Sequence, residues 1–72
     1  MFKVIIEYRE PNETLTYERA TQAAAEKLVR AECKWENTLR GFVYNEDMSE
    51  CLYGQDGDFT TQAHLDAFAE GK

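Results

Sequence analysis

Residues 2–9, Phe-Lys-Val-Ile-Ile-Glu-Tyr-Arg, place Phe2, Val4, Ile6 and Tyr8 on one side and Lys3, Ile5, Glu7 and Arg9 on the other. A period of two over a β-branched stretch predicts a strand. Glu10-Pro11-Asn12-Glu13 is turn-prone, and alternation then resumes over 14–19, with Leu15 and Tyr17 opposed to Thr14, Thr16 and Glu18. The two segments predict a hairpin. From Thr21 the period changes. Its hydroxyl is placed to cap a helix through Ala23-Ala24-Ala25 and Glu26-Lys27-Leu28, all strong helix formers. At 100° per residue Ala20, Ala24, Leu28, Ala31, Trp35 and Leu39 form one stripe, which predicts a sheet-facing side with Trp35 filling its wide end. Asn37 and Gly41 read as stop signals, so the helix is expected to end near 36–38. A third strand is expected at 42–44, a polar turn at 45–49, a fourth strand at 50–53 and a loop at 54–58. Thr60 or Thr61 then caps a short helix with Leu65, Phe68 and Ala69 on one side.

Hairpin, helix, hairpin implies an α+β fold, a single domain over residues 1–72 with a four-stranded sheet packed by one long helix and a short C-terminal helix. The first strand is the most apolar and is expected in the centre. Paired in parallel with the fourth, it gives ββαββ with order 2-1-4-3, a β-grasp-like sheet. The hairpin spacing and the stretch Thr-Gln-Ala-Ala-Ala-Glu-Lys-Leu-Val over 21–29 resemble the immunoglobulin-binding domain of streptococcal protein G. That resemblance implies the fold and carries no function across.

Composition narrows the classes. In 72 residues the chain holds 14 acidic and 8 basic side chains, a net charge of −6. An excess of acid argues against direct binding of nucleic acid or of an anionic membrane. Trp35, four tyrosines and four phenylalanines in so short a chain argue against disorder. The longest clean apolar run is Val4–Ile6, no export signal opens the chain, and a cytoplasmic protein is expected. Below about 80 residues one core supplies only ~3–5 kcal/mol, which leaves little chain for a catalytic cleft.

The chemistry-bearing residues are few. Cys33 and Cys51 read as reduced thiols, with a disulfide between helix and strand as the alternative. No second cysteine or histidine lies near either, so no zinc ligand set is expected. His64 is the one histidine, and a Cys–His pair would need the last helix folded back onto a thiol. Asp56-Gly57-Asp58 hints at a calcium loop, but the fifth position is Thr60 and the twelfth Ala67, where a calcium loop needs a ligand and a bidentate Glu. No catalytic residue, metal or cofactor is expected.

The acids gather at strand ends while Lys27, Arg30 and Lys34 flank the helix. Strand directions put Glu10, Glu13, Asp56 and Asp58 at one end and Glu46, Asp47 and Glu50 at the other. The first group is the expected contact for a protein partner with a basic surface, the second a further acidic turn. The sheet face away from the helix should carry Lys3, Ile5, Glu7, Thr14, Thr16 and Glu18, with Ile5 and Val43 or Leu52 as an apolar strip that Leu65 and Phe68 could cover. The second and third strands are expected as open edges, so a monomer or weak homodimer fits. These features suit a small non-enzymatic protein-binding module. A phage or mobile-element inhibitor that occupies a host protein, of the anti-CRISPR or anti-restriction kind, is the first expectation. A small accessory subunit of a larger cytoplasmic complex is the second.

Overall fold

The computed structural model describes residues 1–71. The elements run β1 (Phe2–Tyr8), β2 (Glu13–Arg19), α1 (Gln22–Glu32), β3 (Thr38–Tyr44), β4 (Cys51–Asp56) and α2 (Gln62–Glu70). The α+β class, the four strands and both helices are as expected. The lateral order is not. The sheet is antiparallel throughout, with order β2-β1-β3-β4. The parallel 1–4 pairing and the order 2-1-4-3 are therefore corrected, and the similarity to the protein G domain stops at the sequence of elements.

The cause lies in β3. Its seven residues begin at Thr38, four before the expected start, and Thr38, Leu39, Gly41 and Val43 are buried. A strand this long and this apolar takes the centre. Its start is fastened to the end of β1: Arg9 N–H donates to Asn37 O at 2.8 Å, Glu10 N–H donates to Asn37 Oδ1 at 2.8 Å, and Asn37 Nδ2 donates to Glu10 O. The chain leaves α1 at the top of the sheet and drops directly beside β1. Gly41 is thus a strand residue and no stop signal. A methyl there would lie 2.9 Å from Ile6 Cδ1 and Val29 Cγ1, so a bare backbone at this point lets α1 settle onto β3.

α1 begins at Thr21, whose Oγ1 accepts from Ala24 N–H at 3.1 Å. It stops at Glu32, with Cys33 as cap. Its buried side is Ala25, Val29 and Cys33 with Leu28 at the margin, a spacing of four that replaces the expected alanine stripe. Because the helix ends early, Trp35 lies beyond it and Leu39 belongs to β3. Ala25, Val29 and Cys33 meet Val4, Ile6 and Val43 to form the core. Tyr8 tightens the top of this layer. Its hydroxyl donates to Glu32 Oε1 at 2.6 Å and lies 3.2 Å from the Tyr17 hydroxyl. Burial, then the Glu32 carboxylate, hold that phenol protonated far above its ordinary range.

The other face of the sheet carries rows set by the register, Thr16–Ile5–Phe42–Gly54 and Thr14–Glu7–Arg40–Asp56. Phe42 stands where Val43 was expected, and Val43 is fully buried under α1. Arg40 pairs with Glu7 and lies 5.6 Å over the Phe42 ring. α2 does not lie along this face. Its polar contacts fall on Arg9 and Asn12 in the β1–β2 turn, so it crosses the top of the molecule. Among the described residues no helix is long and apolar enough to cross a membrane.

Candidate functional site

The strand directions agree with the expectation even though the order does not. The turn after β1 and the exit from β4 share the top of the sheet, and the β3–β4 turn lies at the bottom. Glu10 and Glu13 therefore share an end with Asp56 and Asp58. They do not share an edge. β2 and β4 are the two outer strands, three spacings or roughly 14 Å apart. Arg40 stands between them in register, already committed to Glu7.

These four acids differ from half of the other ten in the chain. Glu7, Glu18, Glu26, Glu36 and Glu46 each face a cation, namely Arg40, Lys3 at 3.0 Å, Arg30 at 2.9 Å, Arg9 at 3.9 Å and the Met1 ammonium at 2.8 Å. Among the described residues Glu10, Glu13, Asp56 and Asp58 are exposed and have no cation within ion-pair distance. Their charge is uncompensated at one pole.

The second acidic turn is different in kind. Asn45 Nδ2 donates to Ser49 Oγ, and Asn45 Oδ1 accepts from Glu50 N–H. The hydroxyl and amide of Ser49 hold the Asp47 carboxyl below the usual carboxylate range, and the Met1 ammonium does the same for Glu46. Asp47 is thus occupied within the turn and Glu46 by the chain's amino end, while Glu50 stays exposed.

Two aromatic residues join the top end. Trp35, expected in the core, is 67% exposed in the 33–37 turn, and Phe59 is 54% exposed in the 57–60 loop. Asp58 N–H donates to Cys33 O at 2.8 Å, which seats the Phe59 loop against the turn that carries Trp35. Gly57 N–H and Thr60 Oγ1 both donate to Leu39 O at 2.6 Å and fix the same loop to β3. Trp is enriched among the residues that carry binding energy in interfaces. The signal for Phe59 was present in the sequence: one large aromatic inside Gly-Gln-Asp-Gly-Asp-Phe-Thr-Thr has no apolar company there to pack against. Trp35 became visible only once the helix end was known.

Across the top, α2 closes a cleft of about 450 Å³ lined by Arg9, Glu10, Asn12, His64, Ala67 and Phe68. Phe68 anchors the helix at 5% exposure, and Asn12 Nδ2 donates to its carbonyl. His64 serves the helix start, its Nδ1 accepting from Thr61 N–H at 3.2 Å, and Arg9 Nη1 lies 3.0 Å from Nε2. The imidazole is spent on structure. Cys33 Sγ lies instead near Gln55 O, under α1, where burial and then the carboxylates of Asp58, Asp56 and Glu32 push its thiol up to about 11. Cys51 is exposed at the opposite end of β4. The two thiols are both free, and no disulfide ties helix to strand. No group of three or more His, Cys, Asp or Glu capable of holding a metal occurs among the described residues. Compared with known protein families, with curated proteins and with solved structures, the chain finds no match.

Proposed function

We propose that the protein is a non-catalytic binding module whose top end docks on a basic surface of another protein. The observation that carries this reading is the company of two exposed aromatics, Trp35 and Phe59, with four uncompensated acids, Glu10, Glu13, Asp56 and Asp58. Aromatic anchors supply contact area at small entropic cost, and the acids steer and orient the approach. The partner therefore presents an apolar pocket bordered by Lys or Arg. Occupying such a surface displaces the anionic ligand that the surface itself would bind. Inhibition of a host protein, of the kind practised by phage and mobile-element inhibitors, is the mode we propose. A non-catalytic role is supported by the engagement of His64 in the α2 cap and by the burial of Cys33.

Photocrosslinking tests the reading in cells of the source organism. A benzophenone side chain at Phe59 is expected to crosslink one protein, and the same group at Ser49 in the bottom turn is not. Trp35→Ala or charge reversal at all four acids should abolish the Phe59 crosslink. An adduct that forms equally from Ser49, or survives both changes, refutes the proposal.

A further inference from the structure

The cleft beside α2 sets groups of opposite charge around an apolar wall. Arg9, Glu10 and Asn12 come from the β1–β2 connection, and His64, Ala67 and Phe68 from the helix. Thr61 Oγ1 accepts from His64 N–H at 3.3 Å at one end of α2, and Asn12 Nδ2 donates to Phe68 O at 3.3 Å toward the other, so both walls are fixed. At about 450 Å³ the cleft is the size of a small-molecule site.

Two donors in it are left over. His64 Nδ1 accepts from Thr61 N–H at 3.2 Å, and an imidazole whose Nδ1 accepts carries its hydrogen on Nε2. The lone pair that a base would need is spent, and the ring presents Nε2–H instead. Arg9 Nη1 lies 3.0 Å from Nε2 and 3.5 Å from Nδ1. The two ring nitrogens point apart, so an atom this close to both lies over the ring, and a guanidinium has no acceptor to offer. Among the described residues no acceptor meets that N–H. The guanidinium faces only Glu36, at a loose 3.9 Å, on a side chain that is 80% exposed. In the same cleft Glu10 has no cation within ion-pair distance among the described residues.

We propose that this cleft binds a free α-amino acid with an apolar side chain. Its carboxylate takes the Arg9 guanidinium and the Nε2–H of His64, its ammonium takes Glu10, and its side chain lies along Ala67 and Phe68. A phosphate or a dicarboxylate brings a second negative charge against Glu10, with no second cation in the cleft to meet it. Trp35 and Phe59 take no part, so the site goes beyond the docking of the top end.

Titration of the 15N-labelled whole chain with L-leucine, read by amide chemical shifts, tests this. Shifts are expected at 9–12 and 64–68 and not at 46–49, with a dissociation constant of about 1 mM. 4-Methylvalerate is the same skeleton without the amine, and 3-methylbutylamine the same without the carboxylate. Each loses one charge-assisted contact and should bind about tenfold more weakly. Glu10→Gln should lower leucine to the level of 4-methylvalerate and leave 4-methylvalerate unchanged. Arg9→Gln should weaken both carboxylates by about tenfold or more. His64→Glu keeps an acceptor for Thr61 N–H, since Glu suits this position of a capping box, but turns the donor into a carboxylate, and leucine binding should vanish. The ligand series on the parent chain decides the matter even where a substitution loosens α2. The proposal is overturned by no shift up to about 20 mM leucine, by 4-methylvalerate binding as tightly as leucine, or by inorganic phosphate binding more tightly than either.

Discussion

Gly57→Ala is expected to destabilise the protein by about 3 kcal/mol. Gly57 is buried where β4 ends, and its φ is not positive, so the position needs closeness and not an unusual backbone. A methyl group there would sit 2.1 Å from Thr38 O, 3.0 Å from Thr60 Oγ1 and 3.1 Å from Leu39 O. Two of the three are carbonyls of β3, which cannot retreat without the central ladder. The loop must move outward by more than about 1 Å to reach ordinary contact. That pulls on the bonds from Gly57 N–H and Thr60 Oγ1 to Leu39 O, both 2.6 Å. Overpacking contributes ~1–3 kcal/mol and two weakened hydrogen bonds ~0.5–1.5 kcal/mol each, offset by ~0.4–1 kcal/mol from a stiffer unfolded chain. In a domain of this size each kcal/mol moves the melting temperature by about 4–8 °C, so circular dichroism should record a drop of roughly 12–24 °C. Gly54→Ala is the control. Its methyl meets the Phe42 ring at 2.8 and 3.3 Å, a half-buried side chain on the open face that can shift, and the Gly41 carbonyl only at an ordinary 3.7 Å. That variant should lie within about 1 kcal/mol of the parent. Equal shifts in the two variants, or a Gly57→Ala melt within about 4 °C of the parent, would refute the seating of this loop on β3.

Two further outcomes follow from the same packing. Phe68→Ala removes the buried ring that holds α2, so hydrogen exchange should accelerate across 62–70 while amides of β1 and β3 keep their protection; uniform acceleration would show that α2 is part of the core. For Cys33 the folded thiol titrates near 11 and the unfolded one near 9.0, so the folded state holds the proton longer. Stability from this group is fully present below pH 9 and declines as pH rises toward 11. At pH 8 about one Cys33 in a thousand is thiolate, and a disulfide reagent should label Cys51 long before Cys33. Simultaneous labelling of both would contradict the burial.

Much of the fold could be read along the chain, because it rests on local chemistry. The alternation in 2–9 and 14–19 gave β1 and β2, Thr21 marked the first helix start, and Thr60 or Thr61 was expected at the second, which is Thr61. The opposite ends of the two acidic groups followed from strand directions alone. What failed was decided at a distance. Thr38-Leu39-Arg40-Gly41 has no pattern that separates a helix end from a strand, and Gly41 reads as a stop. Its true role depends on Ile6 and Val29, far along the chain, occupying the space a side chain would take. The order of the central strands depends likewise on Asn37 meeting Glu10. From that one displaced boundary came the misplacement of Trp35, and with it the aromatic half of the candidate site.

The bottom turn of the second hairpin has a consequence for change. Asn45 and Asp47 satisfy it from within, through Ser49 and Glu50, while the top of the molecule is knotted together by bonds among residues 9–12, 33–37 and 57–60. The two poles therefore differ in how much novelty they accept. Inserted segments or tags between residues 47 and 49 leave the Met1–Glu46 ion pair in place and disturb only the turn itself. A comparable change at the upper pole alters three connections together. Substitutions are absorbed most easily at the lower pole, while at the upper one only the outward-facing side chains change without cost to the fold.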